Sequence, residues 1–278
     1  MTQGILLFAH NNEHFNYGLM AVWQSKRLTK FLGKPVSLVT DRATVQSLRK
    51  LGIKAQDHFD QIFFSDAETK QSRSLGHQWV LLKNVDRVNA YDLTPYDETL
   101  VIDTDIIIQS DRLNLVWGHQ EDILVSKYAV DVFNRNLDEF DRLKDQGVDF
   151  YWATEFWFRK SETAKVFFDL AKCIKENYKW FALLYGVGGK LLRNDHVWSI
   201  ALHELGKEQG ASWADRIPRT LMYSLDGDKI VKFTDTSVVL LGKEKDQPKV
   251  ANIADQDLHF MNKFELMPMI EQELGITK

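Results

Sequence analysis

One cysteine in 278 residues excludes an intrachain disulfide, a thiolate zinc cluster and a dithiol redox pair. Cys173 lies among Leu170, Ala171 and Ile174 in a helical stretch and is expected to be a small buried hydrophobe. No apolar run approaches the ~18 residues that cross a bilayer. No basic region precedes the first apolar strand, so no secretory signal is visible and a cytoplasmic setting is expected. Repeats, low-complexity tracts and Pro/Gly-rich linkers are also missing, and one domain over 1–278 is the economical reading. The net charge of −4 argues against a general polyanion binder, although the total says nothing about a local basic groove.

What is present is a soluble-type composition, 44% hydrophobic and 27% charged, with eight tryptophans. Trp152, Trp157, Trp180, Trp198 and Trp213 suit stacking on bases or sugars, or filling a core. Residues 4–9 read as a strand, 17–31 as a helix closed by Gly33, and 36–40 as a second strand. That βαβ spacing predicts a parallel sheet. Further expectations are a helix over 44–51, a strand over 61–64 and a helix over 73–91. Beyond them come strands at 121–126, 155–158 and 236–241, and helices over 161–178 (Ser161 as cap) and 195–205.

The strongest chemical signal is Asp103 and Asp105 within an otherwise apolar run. Leu100, Val101 and Ile102 stand on one side and Ile106, Ile107 and Ile108 on the other. Such a run reads as an interior strand, where a carboxylate costs several kcal/mol unless paired or metal-bound. On a strand, residues i and i+2 share a side. Two convergent oxygen ligands suit Mg²⁺ or Mn²⁺, which also takes ligands from a substrate phosphate. The competing reading is a chance Asp-x-Asp in a turn or cap, which the flanking apolar triplets disfavour.

The segment Thr94 to Asp105, preceded by Arg87 to Tyr91, resembles the metal-binding region of GT-A glycosyltransferases. The likeness is greatest to glycogenin- and galactosyltransferase-like families, including small bacterial and bacteriophage members. It spans about residues 4–265. The resemblance implies an α/β, Rossmann-like GT-A fold: a mainly parallel central sheet flanked by helices, with an elaborated C-terminal half. The nucleotide-binding half would cover about 1–125 and the sugar and acceptor half 126–278. Phe8, His10 and Asn11 match where such enzymes hold the base, and Asp41 a residue contacting base or ribose. The segment Asp257 to Lys263 resembles the tail that returns a His to the metal and a Lys to the diphosphate. The Lys-Pro-Trp ending of glycogenin relatives is not present.

The implied activity is transfer of a sugar from a nucleotide-sugar donor, UDP-linked, to a glycan, a lipopolysaccharide or, as in bacteriophage members, a modified DNA base. Asp105 and His259 would ligate Mn²⁺ or Mg²⁺, with Asp103 as second carboxylate and Lys263 on the leaving group; Arg73 could reach a phosphate. Glu155 could bind sugar hydroxyls, and Asp195 could act as general base or merely cap a helix. Gly186, Gly188 and Gly189 could let a loop close over donor. Retention and inversion both stay open. A nucleotidyltransferase is less favoured, because residues 10–13 (His-Asn-Asn-Glu) replace the Gly-rich basic loop it needs. A catalytically silent nucleotide-sugar-binding module is the third class.

Overall fold

Alternation along the first strand decides the layering. Ile5 and Leu7 point into one core, Leu6 and Phe8 into the other, so the strand must be covered on both faces. The computed structural model describes residues 1–65, 72–75, 78–81, 86–135, 140–143, 147–187, 191–207 and 213–276, with backbone alone for 72–75, 78–81 and 207. Its central sheet has seven strands. From one edge to the other these are Asp215–Arg216, Ile123–Ser126, Trp152–Arg159, Glu98–Ile102, Gln3–Phe8, Val36–Thr40 and Ile62–Phe64. All neighbours are parallel except Trp152–Arg159, which runs antiparallel to both strands beside it. The expected mainly parallel α/β sheet flanked by helices is what forms.

Helix Tyr17–Leu32 covers one face. Asn16 accepts from the Leu19 N–H at its start, and Gly33 ends it at φ 63°, a left-handed turn that glycine adopts without strain. Helices Glu162–Glu176 and Asn194–Lys207 cover the other face, packing Phe167, Phe168 and Trp198 against Phe156 and Phe158. Ser161 caps the first of these, as expected. Trp152, Trp157 and Trp198 are core residues, and Trp180 is exposed. Cys173 differs from expectation: it is exposed, because the helix buries its Ala171 and Ile174 side instead.

Two further differences matter. Among the described residues of 73–91, the expected helix is replaced by other elements. Ser72–Leu75 and Gln78–Leu81 pair as antiparallel strands, and short helical segments follow at Asp86–Asn89 and Ala90–Leu93. Gly76, inside the helical pattern, was the contrary signal, since glycine costs a helix about 1 kcal/mol. Also, Asp103 and Asp105 are not on the strand but on a turn after it. The Asp103 N–H donates to the Thr154 carbonyl (2.8 Å), and Ile106 N–H closes the turn onto the Asp103 carbonyl (3.3 Å).

The C-terminal half adds two small sheets. One contains Ile106–Ile107, Leu258–Phe260, Leu221–Ser224 and Ala129–Asp131. The other is an antiparallel meander of Lys229–Phe233, Ser237–Glu244 and Gln247–Ala254. The first positions the site. His259 is registered opposite Ile106, and the Phe260 N–H donates to the Asp105 carbonyl at 2.9 Å.

Candidate active site

A cavity of about 480 Å³ opens at the end of the sheet where the strands Gln3–Phe8 and Glu98–Ile102 finish. In doubly wound α/β sheets this carboxyl edge is where loops leave a crevice for ligands. The Asp103–Asp105 turn forms one wall, and His259 and Lys263 come from the tail. Residues 191–195 and the loop Leu225–Gly227 close the rim, with Phe8, Tyr17 and Trp152 as apolar surface.

One ligand atom from each of Asp103, Asp105 and His259 lies within 4.8 Å of the other two. Two carboxylate oxygens and an imidazole nitrogen make a donor set for a hard or borderline divalent cation. The imidazole turns its Nε2 toward the pair, 3.5 Å from the Asp105 carboxylate, and its buried Nδ1 has no hydrogen-bond partner. The residues present therefore fit such an ion. Two cations share the carboxylates. Lys263 Nζ is 2.5 Å from Asp105, His259 Nε2 is 3.5 Å from it, and Arg87 pairs with Asp103.

Electrostatics follow from this crowding. Burial alone would raise the Asp105 pKa, but Lys263 and then His259 outweigh it and hold the carboxyl well below the usual range. Burial also lowers the Arg87 pKa, opposed by Asp195 and Asp105. Asp195 sits in the first turn of helix Asn194–Lys207. It accepts from the Ala153 N–H at 2.9 Å and from Arg193 at 3.1 Å. Burial pushes it up, yet Arg193, the Ala153 N–H, His196 and Arg87 together pull it below the ordinary value.

Thus Phe8, Asp103, Asp105, Asp195, His259 and Lys263 come together in one cleft. The other sequence-predicted residues do not line it. His10 is fully buried, its Nε2 donating to the Ser65 carbonyl at 2.9 Å. Asn11 accepts from the Gly18 N–H, and Asp41 caps helix Arg42–Lys50 through the Thr44 N–H at 2.6 Å. All three stand at the ends of the strands Gln3–Phe8 and Val36–Thr40, next to the cleft's Phe8. Glu155 is a correction. It is 0% exposed, accepting from Ser126 at 2.6 Å and from Arg219, so no sugar hydroxyl can reach it. The Arg73 side chain, Gly188 and Gly189 lie outside the described residues.

Sequence reasoning quoted Arg87 in the resembling segment without giving it a role, and it missed Arg193. The only available signal was that a carboxylate buried after an apolar strand needs a cation nearby. It also missed a buried clamp behind the rim. Arg135 bonds Asp228 through two nitrogens (2.9 and 2.7 Å) and Asp131 (2.9 and 2.6 Å). Asp228 accepts from the Leu225 N–H, and its carbonyl accepts from Asn262, the cap of the helix that begins at Lys263. One ion triad thereby ties the rim loop to the lysine on Asp105.

No protein-family model matches the sequence, and comparison with curated proteins finds no match. Solved structures with a similar chain course include the galactosyltransferase LgtC in complex with donor and acceptor sugar analogs. That likeness has TM-score 0.49 and 12% identity, over 71% of this chain and 70% of that one. The glycosyltransferase GlyE of Streptococcus pneumoniae TIGR4 gives 0.43 and 12%, over 78% of this chain and 45% of that one. Mouse xyloside xylosyltransferase 1, in its apo form, gives 0.42 and 11%, over 76% of this chain and 83% of that one. What the cleft can do rests on its own residues.

Proposed function

We propose that the chain is a divalent-cation-dependent glycosyltransferase that takes a sugar from a nucleotide-diphosphate donor, UDP-linked, and delivers it to a hydroxyl of a glycan or lipopolysaccharide. The observation that carries this is the convergence of Asp103, Asp105 and His259 in a cleft that also holds Lys263 and Arg87. Two cations beside three ligands form a site for an anion that arrives with its own metal.

Asp103, Asp105 and His259 would hold the ion, and the imidazole favours Mn²⁺ over Mg²⁺. A divalent cation there supplies Lewis-acid neutralisation of a diphosphate leaving group. Lys263 and Arg87 exchange a carboxylate oxygen for a phosphate oxygen as the donor binds, adding fixed positive charge where the anion develops. In the reaction the bond between the anomeric carbon and the phosphate oxygen breaks, its electron pair leaving with the diphosphate. The acceptor oxygen bonds that carbon and gives up its proton to an oxygen of the departing diphosphate, so that atoms and charge balance. Asp195, held below its ordinary pKa, is a poor base and a good hydrogen-bond acceptor. Its role is to orient sugar hydroxyls. The strand ends at His10, Asn11 and Asp41, beside Phe8, are where the nucleoside would lie, held by main-chain groups.

The test is a thermal-shift panel of nucleotide diphosphates and nucleotide sugars with and without Mn²⁺. A bound ligand stabilises the folded state by about 2.7 kcal/mol at 100 times its Kd. UDP and one UDP-sugar should raise Tm only with metal present, and Asp105→Ala should abolish the response. A metal-independent response that survives Asp105→Ala removes the proposal.

A further inference from the structure

The meander that follows the rim loop has an outward face the proposed chemistry does not use. Along Ser237–Glu244, Val238, Leu240 and Gly242 are buried, leaving Val239, Leu241 and Lys243 on the other side. Register places Lys229 and Val250 on either flank of Leu241, Lys232 and Asn252 beside Val239, and Pro248 beside Lys243. Val231, in the bulge, is 61% exposed, Val250 68% and Leu241 38%. Residues 229–254 carry five lysines against three carboxylates, in a chain whose net charge is −4. Two of those carboxylates are engaged, Asp235 with Lys30 and Arg27, Glu244 with Lys249. Lys229, Lys232 and Lys243 have no carboxylate partner among the described residues.

We infer that this face of the meander docks on an anionic membrane surface. Aliphatic side chains ringed by uncompensated lysines let the apolar groups enter the headgroup layer while the ammonium groups meet lipid phosphates. Lysine as edge protection accounts for an edge strand, not for Lys243 and Leu241 on the central one. A second copy of this chain would have to set the same lysines against each other across a two-fold axis. Duplex DNA would leave Val231, Leu241 and Val250 without a use. No helix of the described residues is long and apolar enough to cross a membrane.

The face is held rigidly. Gly242 has no Cβ because the Phe133 ring and the Asp228 carboxylate stand 2.3 and 2.4 Å from where one would be. The meander runs from Asp228, beside the rim loop, to the strand that bears His259. Docking there would tether the rim loop and the strand of His259 to the lipid surface through the meander. If the chain is the glycosyltransferase proposed above, its acceptor is carried by the membrane; the docking itself does not depend on that reading.

The experiment is co-sedimentation of the full chain with phosphatidylcholine vesicles, with and without one third phosphatidylglycerol, at low and high salt. Binding is expected only to the anionic vesicles and should weaken as salt rises. Lys229→Gln and Lys243→Gln should each weaken it about five-fold. Leu241→Ser with Val250→Ser should weaken it at both salt concentrations. Lys165→Gln, on the distant helix Glu162–Glu176, should change nothing. The unliganded Tm of each variant, measured without lipid or nucleotide, reports folding independently of both proposals. Equal binding to neutral vesicles, no binding, or indifference to these substitutions overturns the inference. So does a concentration-dependent dimer lost with Leu241→Ser, or retention of duplex DNA through the same lysines.

Discussion

Asp103 and Glu155 stand almost side by side, and their surroundings could hardly differ more. Glu155 is paired in register with Ile102, and the residue before it accepts the Asp103 N–H. Around Glu155 every charge is absorbed internally. Arg219 bridges it to Asp257, whose other oxygen takes the Gln109 and Ser110 N–H groups at 2.7 and 3.0 Å. Asp103 and Asp105 each hold a cation too, but along the wall of an open cavity with an unpartnered imidazole nitrogen nearby. A buried carboxylate becomes a site when its partner can be exchanged and there is room for the replacement.

The comparison can be broken most forcefully at Glu155. Glu155→Ala leaves Arg219 facing only Asp257 and should cost about 3–5 kcal/mol in urea denaturation. Its Mn²⁺-dependent nucleotide shift should persist wherever the protein is folded; loss of that shift would put Glu155 in the site after all. Arg87→Ala removes the cation from Asp103 and should cost about 3 kcal/mol without metal. Here Mn²⁺ alone should recover most of the lost Tm, which it cannot do for Glu155→Ala.

Acid separates a smaller effect. The Asp195 pKa is lower folded than unfolded, so its stabilisation is complete above the unfolded value of about 4 and is lost as pH falls through the folded value. Asp105 has the same sign. Melting curves of Asp195→Asn should therefore decline less steeply below about pH 4 than those of the parent. The smallest effects come from the caps. Asn262→Ala and Ser161→Ala should each cost about 1 kcal/mol. Only Asn262→Ala should also weaken the nucleotide shift, because its helix begins with Lys263 and its amide reaches Asp228.

Much of the framework was legible because it is local. The strands at 3–8, 36–40 and 98–102, the helix at 17–32 with Gly33, and the Ser161 cap follow from apolar period and terminal residues. The paired strands Ser72–Leu75 and Gln78–Leu81 were not, because apolar residues at helical spacing fit either structure. Asp103, Asp105, His259 and Lys263 were singled out by type and order, and they do meet. Asp41 shows the limit of such matching. An aspartate after a strand is equally the cap of the next helix, and here its oxygen is on the Thr44 N–H.

The chain's own order determined that two carboxylates would follow a buried strand and that an imidazole and an amine would lie near its end. Periodicity and residue chemistry suffice for that, since both act within a few residues. Only the tertiary structure decided which charges face each other. Arg87 against Asp103, Arg219 between Glu155 and Asp257, and Arg135 between Asp131 and Asp228 join residues far apart in sequence, through strand register and packing. Whether a buried carboxylate is sealed or left facing a cavity depends on those partners, and no local pattern encodes them.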